Sequence, residues 1–403
     1  MPHALDTPAS FLIAMAIIFV VPYLLWRALR SDDYMPLVVV QIIAGILLGP
    51  GILGKLLPAY YAVVFHPPVT LALNGIAWWG GLLFICCAGI ELDLRKAWAA
   101  RAEAGATAAW ALGVPLLCGC LVGAVLLCQP GWAGSGATPW QFVLAIGMTC
   151  AVTALPVLVL FMDKLSLLGH PLGQRILRYA SLDDIALWGV LAVILLDWAR
   201  LAAQLSYLAA FAAAAVLLRR GMPRVPPADR WYLTFIWLLL AAFGAEWVGL
   251  HFLVGAFLSG AVLDATWFER QQLTQLRRFV LLALMPVFFL SAGLRTTWSL
   301  GGRTVLLAAA ALSAAAIGGK LLGTAVAARR LGWRRGEAAI VGWLLQNKGL
   351  VMIVFAEVLL DERLISDASF TALLLMGLLS TVLTMPMVAP RLQKAGVALS
   401  EAA

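Results

Sequence analysis

Long, continuous apolar runs constrain this chain more than any other feature of its sequence. Of its 403 residues, 63% are hydrophobic and 12% are charged, whereas a soluble domain carries about 25% charged residues. The runs approach the length of about 20 residues that an α-helix needs to cross a bilayer, and they lack the alternation of a membrane β-barrel. The sequence therefore predicts an all-α polytopic membrane protein whose surplus apolar surface faces lipid.

Thirteen apolar segments predict about 13 transmembrane helices. They cover residues 11–29, 35–54, 68–91, 105–128, 139–162, 174–198, 203–219, 230–249, 251–265, 278–294, 304–328, 337–360 and 367–389. The connections between consecutive segments lie alternately on the two sides of the membrane. Those on one side hold 21 of the 28 Lys and Arg residues, and those on the other side hold five. Because cytoplasmic loops carry the excess of positive charge, this bias predicts an outer N-terminus and a cytoplasmic C-terminus in a bacterial-type inner (plasma) membrane. The net charge of +8 comes from these short clusters, and we expect no nucleic-acid partner.

Two of the segments are interrupted by polar and helix-breaking residues at mid-membrane depth. The fifth carries Thr149, Thr153 and Pro156, and the twelfth carries Asn347 and Lys348. Interrupted spans at corresponding places in two halves indicate the binding site of a transporter. We therefore predict an inverted repeat with two crossed discontinuous helices. Half one covers about residues 11–198, a linker helix about 203–219, and half two about 230–390.

Few ionisable residues lie inside the segments, and two of them are adjacent. Asp183 and Asp184 stand in the sixth segment and Lys320 in the eleventh. A carboxylate at the bilayer centre costs roughly 2.5 kcal/mol or more, so it usually marks an ion or proton pathway. Adjacent residues on a helix point about 100° apart, so one aspartate can pair with Lys320 while the other faces a water-filled cavity. Two alternatives stay open: the aspartates could begin a helix, favoured by its dipole, and Lys320 could extend to the membrane interface.

Other charged residues have simpler interpretations. Lys348 could counter the negative C-terminal ends of half-helices. Glu91, Glu246, Glu357 and Asp197 lie near segment ends and are expected at the membrane interface. Small-residue pairs at four-residue spacing predict close helix packing, and they are Gly45/Gly49, Gly119/Gly123 and Gly319/Gly323. The six cysteines lack metal-binding spacing, so we expect neither a structural metal nor a cofactor.

Nine short motifs in a fixed order resemble the monovalent cation:proton antiporters, in the branch of Kef-type bacterial exchangers and plant cation/H⁺ exchangers. They occupy residues 45–54, 83–94, 149–156, 181–185, 254–260, 286–294, 319–320, 347–350 and 381–386. The resemblance implies the sodium/hydrogen exchanger fold, a homodimer, and Na⁺ or K⁺ and H⁺ as the transported ions. One departure is Lys348-Gly349-Leu350, where many relatives have Arg-Gly-Glu.

The resemblance also implies site residues. Asp184 matches the carboxylate that binds the cation or the proton, and it would be the ligand of Na⁺ or K⁺. Asp183 stands where electrogenic exchangers have Asp, and Lys320 matches the lysine that pairs with it. The unwound helices would cross at Thr149, Thr153, Asn347 and Lys348. Because only twelve residues follow Arg391, we expect no C-terminal regulatory domain.

We therefore expect a secondary-active antiporter that exchanges Na⁺ or K⁺ for protons by alternating access, with net charge movement. The alternative is a sodium-coupled organic anion symporter on a similar crossed-helix fold, in which Lys348 could serve the anion. An enzyme is not expected, because the chain shows no His-Glu metal spacing, Ser/Lys dyad or aspartic-protease motif. Both Na⁺ and K⁺ use hard oxygen ligands, so these residues do not decide between them.

Overall fold

The protein is almost entirely helical in the part of the chain that its computed structural model describes, which comprises residues 7–28, 37–50, 52–91, 101–167, 170–196, 200–296, 301–334 and 336–394. Helices α1 to α6 are Thr7–Ala28, Leu37–Leu48, Leu53–Leu56, Pro58–Val64, Pro67–Glu91 and Arg101–Leu127. Helices α7 to α12 are Pro139–Ala151, Leu155–Lys164, Pro171–Ile194, Leu201–Gly221, Pro227–Trp247 and Phe252–Val262. Helices α13 to α18 are Arg270–Phe279, Met285–Leu294, Gly302–Leu331, Glu337–Leu345, Gly349–Asp361 and Asp367–Lys394.

Eight helical stretches within the described ranges are long and apolar enough to cross a membrane, which agrees with the predicted membrane class. Each of the thirteen predicted segments contains at least one helix. Helix α9 is 24 residues long, yet it is not among the eight, because two arginines and two aspartates make it too polar by composition. Some helices are short, such as α12 with 11 residues, so the number of membrane crossings stays a prediction.

The chain divides into two compact units. The first, called the large unit, comprises Met1–Val69, Leu94–Leu187 and Phe289–Ala403, and the second, the small unit, comprises Thr70–Asp93 and Trp188–Phe288. Each unit therefore takes residues from both predicted halves. The fold places every sequence-predicted site residue in the large unit.

Glycines bring helices into close contact within the large unit. A Cβ on Gly119 of α6 would lie 2.7 Å from Cys150 Cβ of α7. A Cβ on Gly319 of α15 would lie 2.5 Å from Pro115 Cα of α6. Helices α6, α7 and α15 therefore pack backbone against backbone, and the predicted small-residue pairs lie at these contacts. The third pair packs α2 on α14, where a Cβ on Gly45 would meet the Phe289 carbonyl at 2.8 Å.

The small unit is held by a similar glycine contact and by aromatic side chains. A Cβ on Gly89 of α5 would lie 2.6 Å from the Phe257 carbonyl of α12. Trp188 stacks on Phe257 with ring centroids 4.9 Å apart. The Tyr207 hydroxyl of α10 donates to the Ala241 carbonyl of α11 at 2.8 Å. These contacts join α5 and the C-terminal part of α9 to α12, and α10 to α11.

Candidate functional site

The first helix interruption separates α7 from α8 and lies within the predicted stretch. Helix α7 begins with a capping box formed by Thr138 and Gln141 and ends at Ala151. Val152 and Ala154 then adopt extended backbone conformations, with ψ angles of 149° and 95°. A proline in the first turn of α8 lacks the N–H that would continue a helix from α7. The break therefore exposes the last carbonyls of α7 and the hydroxyl of Thr153.

The second interruption separates α16 from α17, and it meets the first. Helix α16 ends at Leu345, and α17 begins at Gly349, whose φ of +41° suits glycine. The Ala154 N–H of the first break donates to the Asn347 carbonyl of the second at 2.8 Å. The Thr153 hydroxyl lies 2.6 Å from the Leu345 carbonyl. The two breaks are therefore joined by one backbone hydrogen bond and by the Thr153 side chain.

The two adjacent aspartates of α9 are buried beside this junction. Asp183 is 1% exposed and Asp184 is 3% exposed. They lie twelve and thirteen residues after Pro171, the first residue of α9, or about 18–20 Å along the helix at 1.5 Å per residue. The alternative in which the pair begins a helix is therefore wrong, because the first turn of α9 lies far from both carboxylates.

Lys320 is completely buried and pairs with one of the aspartates. Its ammonium lies 2.6 Å from Asp183 Oδ2 and also donates to the Ala151 carbonyl at 2.8 Å. The Thr153 hydroxyl lies 2.6 Å from the same Asp183 oxygen and has one proton to donate, so it serves Asp183 or Leu345 at any moment. Asp184 is near enough for its charge to act on Lys320. Since Lys320 is 0% exposed, the interpretation in which it extends to the interface is wrong.

Lys348 holds the carbonyls on either side of the one that Lys320 holds. Its ammonium donates to the Cys150 carbonyl at 2.5 Å and to the Val152 carbonyl at 2.8 Å. The last carbonyls of a helix have no partner within the helix and carry the negative end of its dipole. Two ammonium groups therefore bind three consecutive carbonyls at the C-terminal end of α7.

Polar groups of α18 form hydrogen bonds with residues of the second break. Gln346 Nε2 donates to the Ser380 carbonyl at 2.7 Å and to Thr384 Oγ1 at 3.1 Å. The Thr381 hydroxyl accepts the Gly349 N–H at 3.2 Å. The sequence interpretation gave no role to Gln346, Ser380 or Thr384. The available signal was the spacing of Ser380, Thr381 and Thr384, which places three hydroxyls within about one turn inside the apolar stretch of residues 372–388.

The remaining predicted crossing residues differ in what they contact. Thr149 is buried, but its hydroxyl donates to the Ile146 carbonyl of its own helix at 2.7 Å and not to a carboxylate. The side-chain amide of Asn347 is buried, and neither its oxygen nor its nitrogen has a hydrogen-bond partner among the described residues. A buried polar group without a partner costs about 1–3 kcal/mol. Asn347 is therefore a candidate ligand, whereas Thr149 shapes the end of α7.

Several expectations concerned residues near segment ends. Glu246 is exposed and accepts the Phe252 N–H at 2.8 Å. Glu357 is only 8% exposed, so protein neighbours cover it, and its place at the membrane interface stays a prediction. The reason is that residues 351–359 of α17 are buried on every side, so position along the helix does not decide exposure. Asp197 and the side chain of Glu91 lie outside the described residues.

Comparison with known proteins identifies related sequences over nearly the whole chain. The profile of a family described as "Sodium/hydrogen exchanger, transmembrane" matches residues 15–394. The Na⁺/H⁺ antiporter NhaS4 of Synechocystis sp. is 30% identical over 370 residues, which cover 88% of this chain and 90% of that protein. Cation/H⁺ antiporter 20 of Arabidopsis thaliana is 27% identical, over 90% of this chain and 46% of that protein. K⁺/H⁺ antiporter 1 of Saccharomyces cerevisiae is 28% identical, over 87% and 43% respectively. This chain thus spans about half the length of the plant and yeast relatives.

Among solved structures, the sodium proton antiporter MjNhaP1 of Methanocaldococcus jannaschii has a similar fold. The superposition covers 98% of this chain and 100% of that chain, with a TM-score of 0.66 and 11% sequence identity. At this identity the match describes the fold alone.

Proposed function

The chain belongs to the sodium/hydrogen exchanger family and is a multi-pass membrane protein, and from this premise we propose that it exchanges Na⁺ or K⁺ for protons by alternating access. The observation that carries the proposal is the buried pair of Asp183 and Lys320 beside Asp184, at the junction of two interrupted helices. Relatives named as Na⁺/H⁺ and K⁺/H⁺ antiporters support the same ions.

Asp184 is the proposed carrier of the exchanged ion. It is buried beside Asp183, whose carboxylate pairs with the Lys320 ammonium at 2.6 Å, and it is the position that matches the ion-binding carboxylate of the family. A carboxylate holds one or the other, and therefore the two ions compete. Oxygen groups that could complete a cation's ligand set are the Thr153 hydroxyl and the Asn347 amide oxygen, because Na⁺ and K⁺, like other hard cations, favour oxygen ligands.

Asp183 and Lys320 form the proposed second proton site. When a cation binds at Asp184, its positive charge repels the nearby ammonium of Lys320 and weakens the pair. Lys320 can then lose its proton while Asp183 helps to neutralise the cation. With one proton displaced from Asp184 and one from Lys320, two protons move against one cation, and each cycle moves net charge.

Alternating access follows from the cost of an uncompensated charge. A carboxylate without a cation or a proton resists transfer through hydrocarbon by roughly 2.5 kcal/mol or more. Only the loaded site therefore passes the barrier between the two sides. We propose that the two interrupted helices belong to an inverted repeat that changes orientation around this site, as crossed discontinuous helices do in other transporters.

The membrane arrangement is also a proposal. The Lys and Arg bias of 21 to five between alternate connections supports an outer N-terminus and a cytoplasmic C-terminus in an inner (plasma) membrane. A homodimer is proposed from family resemblance.

The organic anion symporter is not favoured, because the Lys348 ammonium that would receive the anion is held by two carbonyls.

The proposal is tested with Asp184→Asn in everted membrane vesicles. With the unchanged protein, addition of Na⁺ or K⁺ should dissipate an imposed pH gradient. In the variant the rate of this dissipation should be at least about 100-fold lower, because the amide cannot exchange a proton. Glu246→Gln removes an exposed carboxylate elsewhere and should retain the rate. Full cation-driven proton movement in the Asp184→Asn variant would show that another residue carries the ion.

A further inference from the structure

A second buried carboxylate lies at the other end of α17, away from the helix junction. Glu357 is eight residues after Gly349, the first residue of α17, or about 12 Å along the helix. It is 8% exposed, and its Oε1 has no hydrogen-bond partner among the described residues. The proposed exchange uses Asp183, Asp184 and Lys320 and gives Glu357 no role.

Among the described residues, the charged groups that act on Glu357 and its neighbours come from three elements. Asp361 lies one turn further on α17, on the same face. Arg295 follows the end of α14 and pairs with Asp361, with Nη1 and Oδ1 2.5 Å apart. Arg295 and Asp361 act on the Glu357 carboxylate, and Glu357, Asp361 and Asp367 all act on Arg295. One guanidinium therefore lies within electrostatic reach of three carboxyl groups, and it donates a hydrogen bond to Asp361.

A cavity connects this cluster with the surface of the large unit. Its volume is about 600 Å³, and its lining includes Arg295, Leu360, Arg363 and Asp367. Water in such a cavity reaches the Arg295–Asp361 pair directly, since the Asp361 side chain is 36% exposed. Glu357 lies one helical turn deeper than Asp361. A proton from the bulk therefore has a short path to a carboxyl group that is itself buried.

Two loops fix the rim of this cavity. The Gly134 N–H donates to the Leu364 carbonyl at 3.2 Å, and the Gly136 N–H donates to the Arg363 carbonyl at 3.0 Å. The Ser369 hydroxyl donates to the Trp132 carbonyl at 2.7 Å. The first loop leads into α7 and the second follows α17. The ends of both half-helices that are remote from the junction are thus tied together at the rim of the cavity.

We infer that Glu357 is a second proton-binding carboxyl group, separate from the ion-exchange site and reached through the cavity at Arg295, and that its protonation sets the rate of exchange. A buried carboxyl oxygen that receives no donor is compatible with a protonated, neutral group, whereas a charged one requires compensation. In the observed arrangement Arg295 is bonded to Asp361, which corresponds to neutral Glu357. When Glu357 ionises, it competes with Asp361 for Arg295, and the change acts on α17, whose first residue belongs to the helix junction.

A proton is a better occupant of this cluster than a metal ion. The described residues contain no group of three His, Cys, Asp or Glu side chains arranged to hold a metal. Arg295 already places a permanent positive charge among these carboxyl groups. An added divalent cation would be repelled by that guanidinium, whereas a proton on Glu357 removes the surplus negative charge without displacing Arg295.

The test uses purified protein in liposomes with the pH on each side set independently. Glu357→Gln imitates the protonated group, so the part of the pH response that Glu357 adds on the side of the cavity should be lost. The response that comes from proton competition at Asp184 should remain on that side. The response to pH on the opposite side should remain. Asp361→Asn leaves Arg295 free to pair with Glu357, so the pH response should move about one pH unit to lower pH. Glu246→Gln should change neither profile.

This transport measurement rests on the proposed exchange, so a second measurement is independent of it. Infrared difference spectra between acidic and alkaline pH should contain a protonated carboxyl band that Glu357→Gln lacks and Asp184→Asn retains. An unchanged band in Glu357→Gln, or a pH response like that of the unchanged protein on both sides, would overturn the inference. If Asp184→Asn retains exchange but the Glu357 band is present, the proposed carrier is wrong and the second site stands.

Discussion

At the scale of single residues, the buried ion pair explains why this chain tolerates two adjacent aspartates. Asp183 and Lys320 are 1% and 0% exposed, and desolvation of two such charges costs several kcal/mol per ion. The cost is offset only if their hydrogen bonds are satisfied. Here the Lys320 ammonium has a second acceptor in the Ala151 carbonyl, and Asp183 has a possible second donor in Thr153. The pair thus depends on the helix break that supplies both groups.

This dependence predicts the effect of removing one partner. Lys320→Gln leaves the buried Asp183 carboxylate without an ammonium, and we expect the free energy of unfolding to fall by about 3–5 kcal/mol. Thermal unfolding of the detergent-solubilised protein measures the change. The double variant Asp183→Asn with Lys320→Gln removes both charges and should recover much of the loss. If the single variant is as stable as the double variant, the two residues do not form a stabilising pair.

A second residue-scale prediction concerns Lys348. Lys348→Met removes the donor to the Cys150 and Val152 carbonyls, and each hydrogen bond from a charged group contributes about 1.5–3 kcal/mol. We expect a lower unfolding temperature, with most of the stability retained in Lys348→Arg, which keeps a charged donor. Lys55→Met removes an exposed lysine and serves as the control. A fully stable Lys348→Met protein would mean that the carbonyls are satisfied in another way.

At the scale of helices, close packing and interruption work together. Helix α7 ends early and leaves its carbonyls available, but it stays in place because α6 contacts it through Gly119, where a Cβ would lie 2.7 Å from Cys150 Cβ. The same helix α6 contacts α15 through Gly319 and Pro115. The helix that carries Lys320 and the one that ends at Ala151 are therefore positioned by a common neighbour.

This packing predicts different effects for two adjacent glycines of α15. A Cβ on Gly319 would lie 2.5 Å from Pro115 Cα, whereas nothing lies within 4 Å of a Cβ on Gly318. Gly319→Ala should destabilise the protein by about 1–3 kcal/mol, because backbone must shift to admit a methyl group. Gly318→Ala should be neutral or stabilising by up to about 1 kcal/mol through higher helix propensity. Equal unfolding temperatures for the two variants would contradict the contact of α6 with α15.

Much of this arrangement could be predicted from the sequence, and the failures have physical reasons. Apolar runs predict helices because lipid requires them, and the interruption near Thr153 follows from its polar and proline neighbours. The acceptors of Lys348 could not be predicted, because they are backbone carbonyls distant in the chain. The burial of Glu357 could not be predicted, because its place near a segment end indicates depth along the helix, whereas burial depends on the neighbours around it.

At the scale of the whole molecule, two titratable groups at one site determine how exchange couples to the membrane potential. If Asp184 and Lys320 each release one proton for each cation, one net charge crosses the membrane per cycle. Moving one charge through 100 mV is worth about 2.3 kcal/mol. The membrane potential then drives exchange in addition to the pH gradient. An exchanger that moves one proton per cation would be insensitive to the potential.

This coupling predicts a cation gradient without a pH gradient. In strongly buffered proteoliposomes, an inside-negative potential should keep the internal cation concentration tenfold lower for each interval of about 59 mV, the value for one net charge. Radiolabelled Na⁺ and a K⁺ tracer, measured separately, show which cation is carried. The Asp183→Asn variant lacks the carboxylate that would neutralise the bound cation when Lys320 loses its proton. It should still exchange cations for protons under a pH gradient, but the membrane potential alone should produce no cation gradient. If the Asp183→Asn variant forms the same cation gradient as the unchanged protein, the pair of Asp183 and Lys320 is not responsible for the net charge movement. If the unchanged protein forms no gradient, it exchanges one proton for one cation.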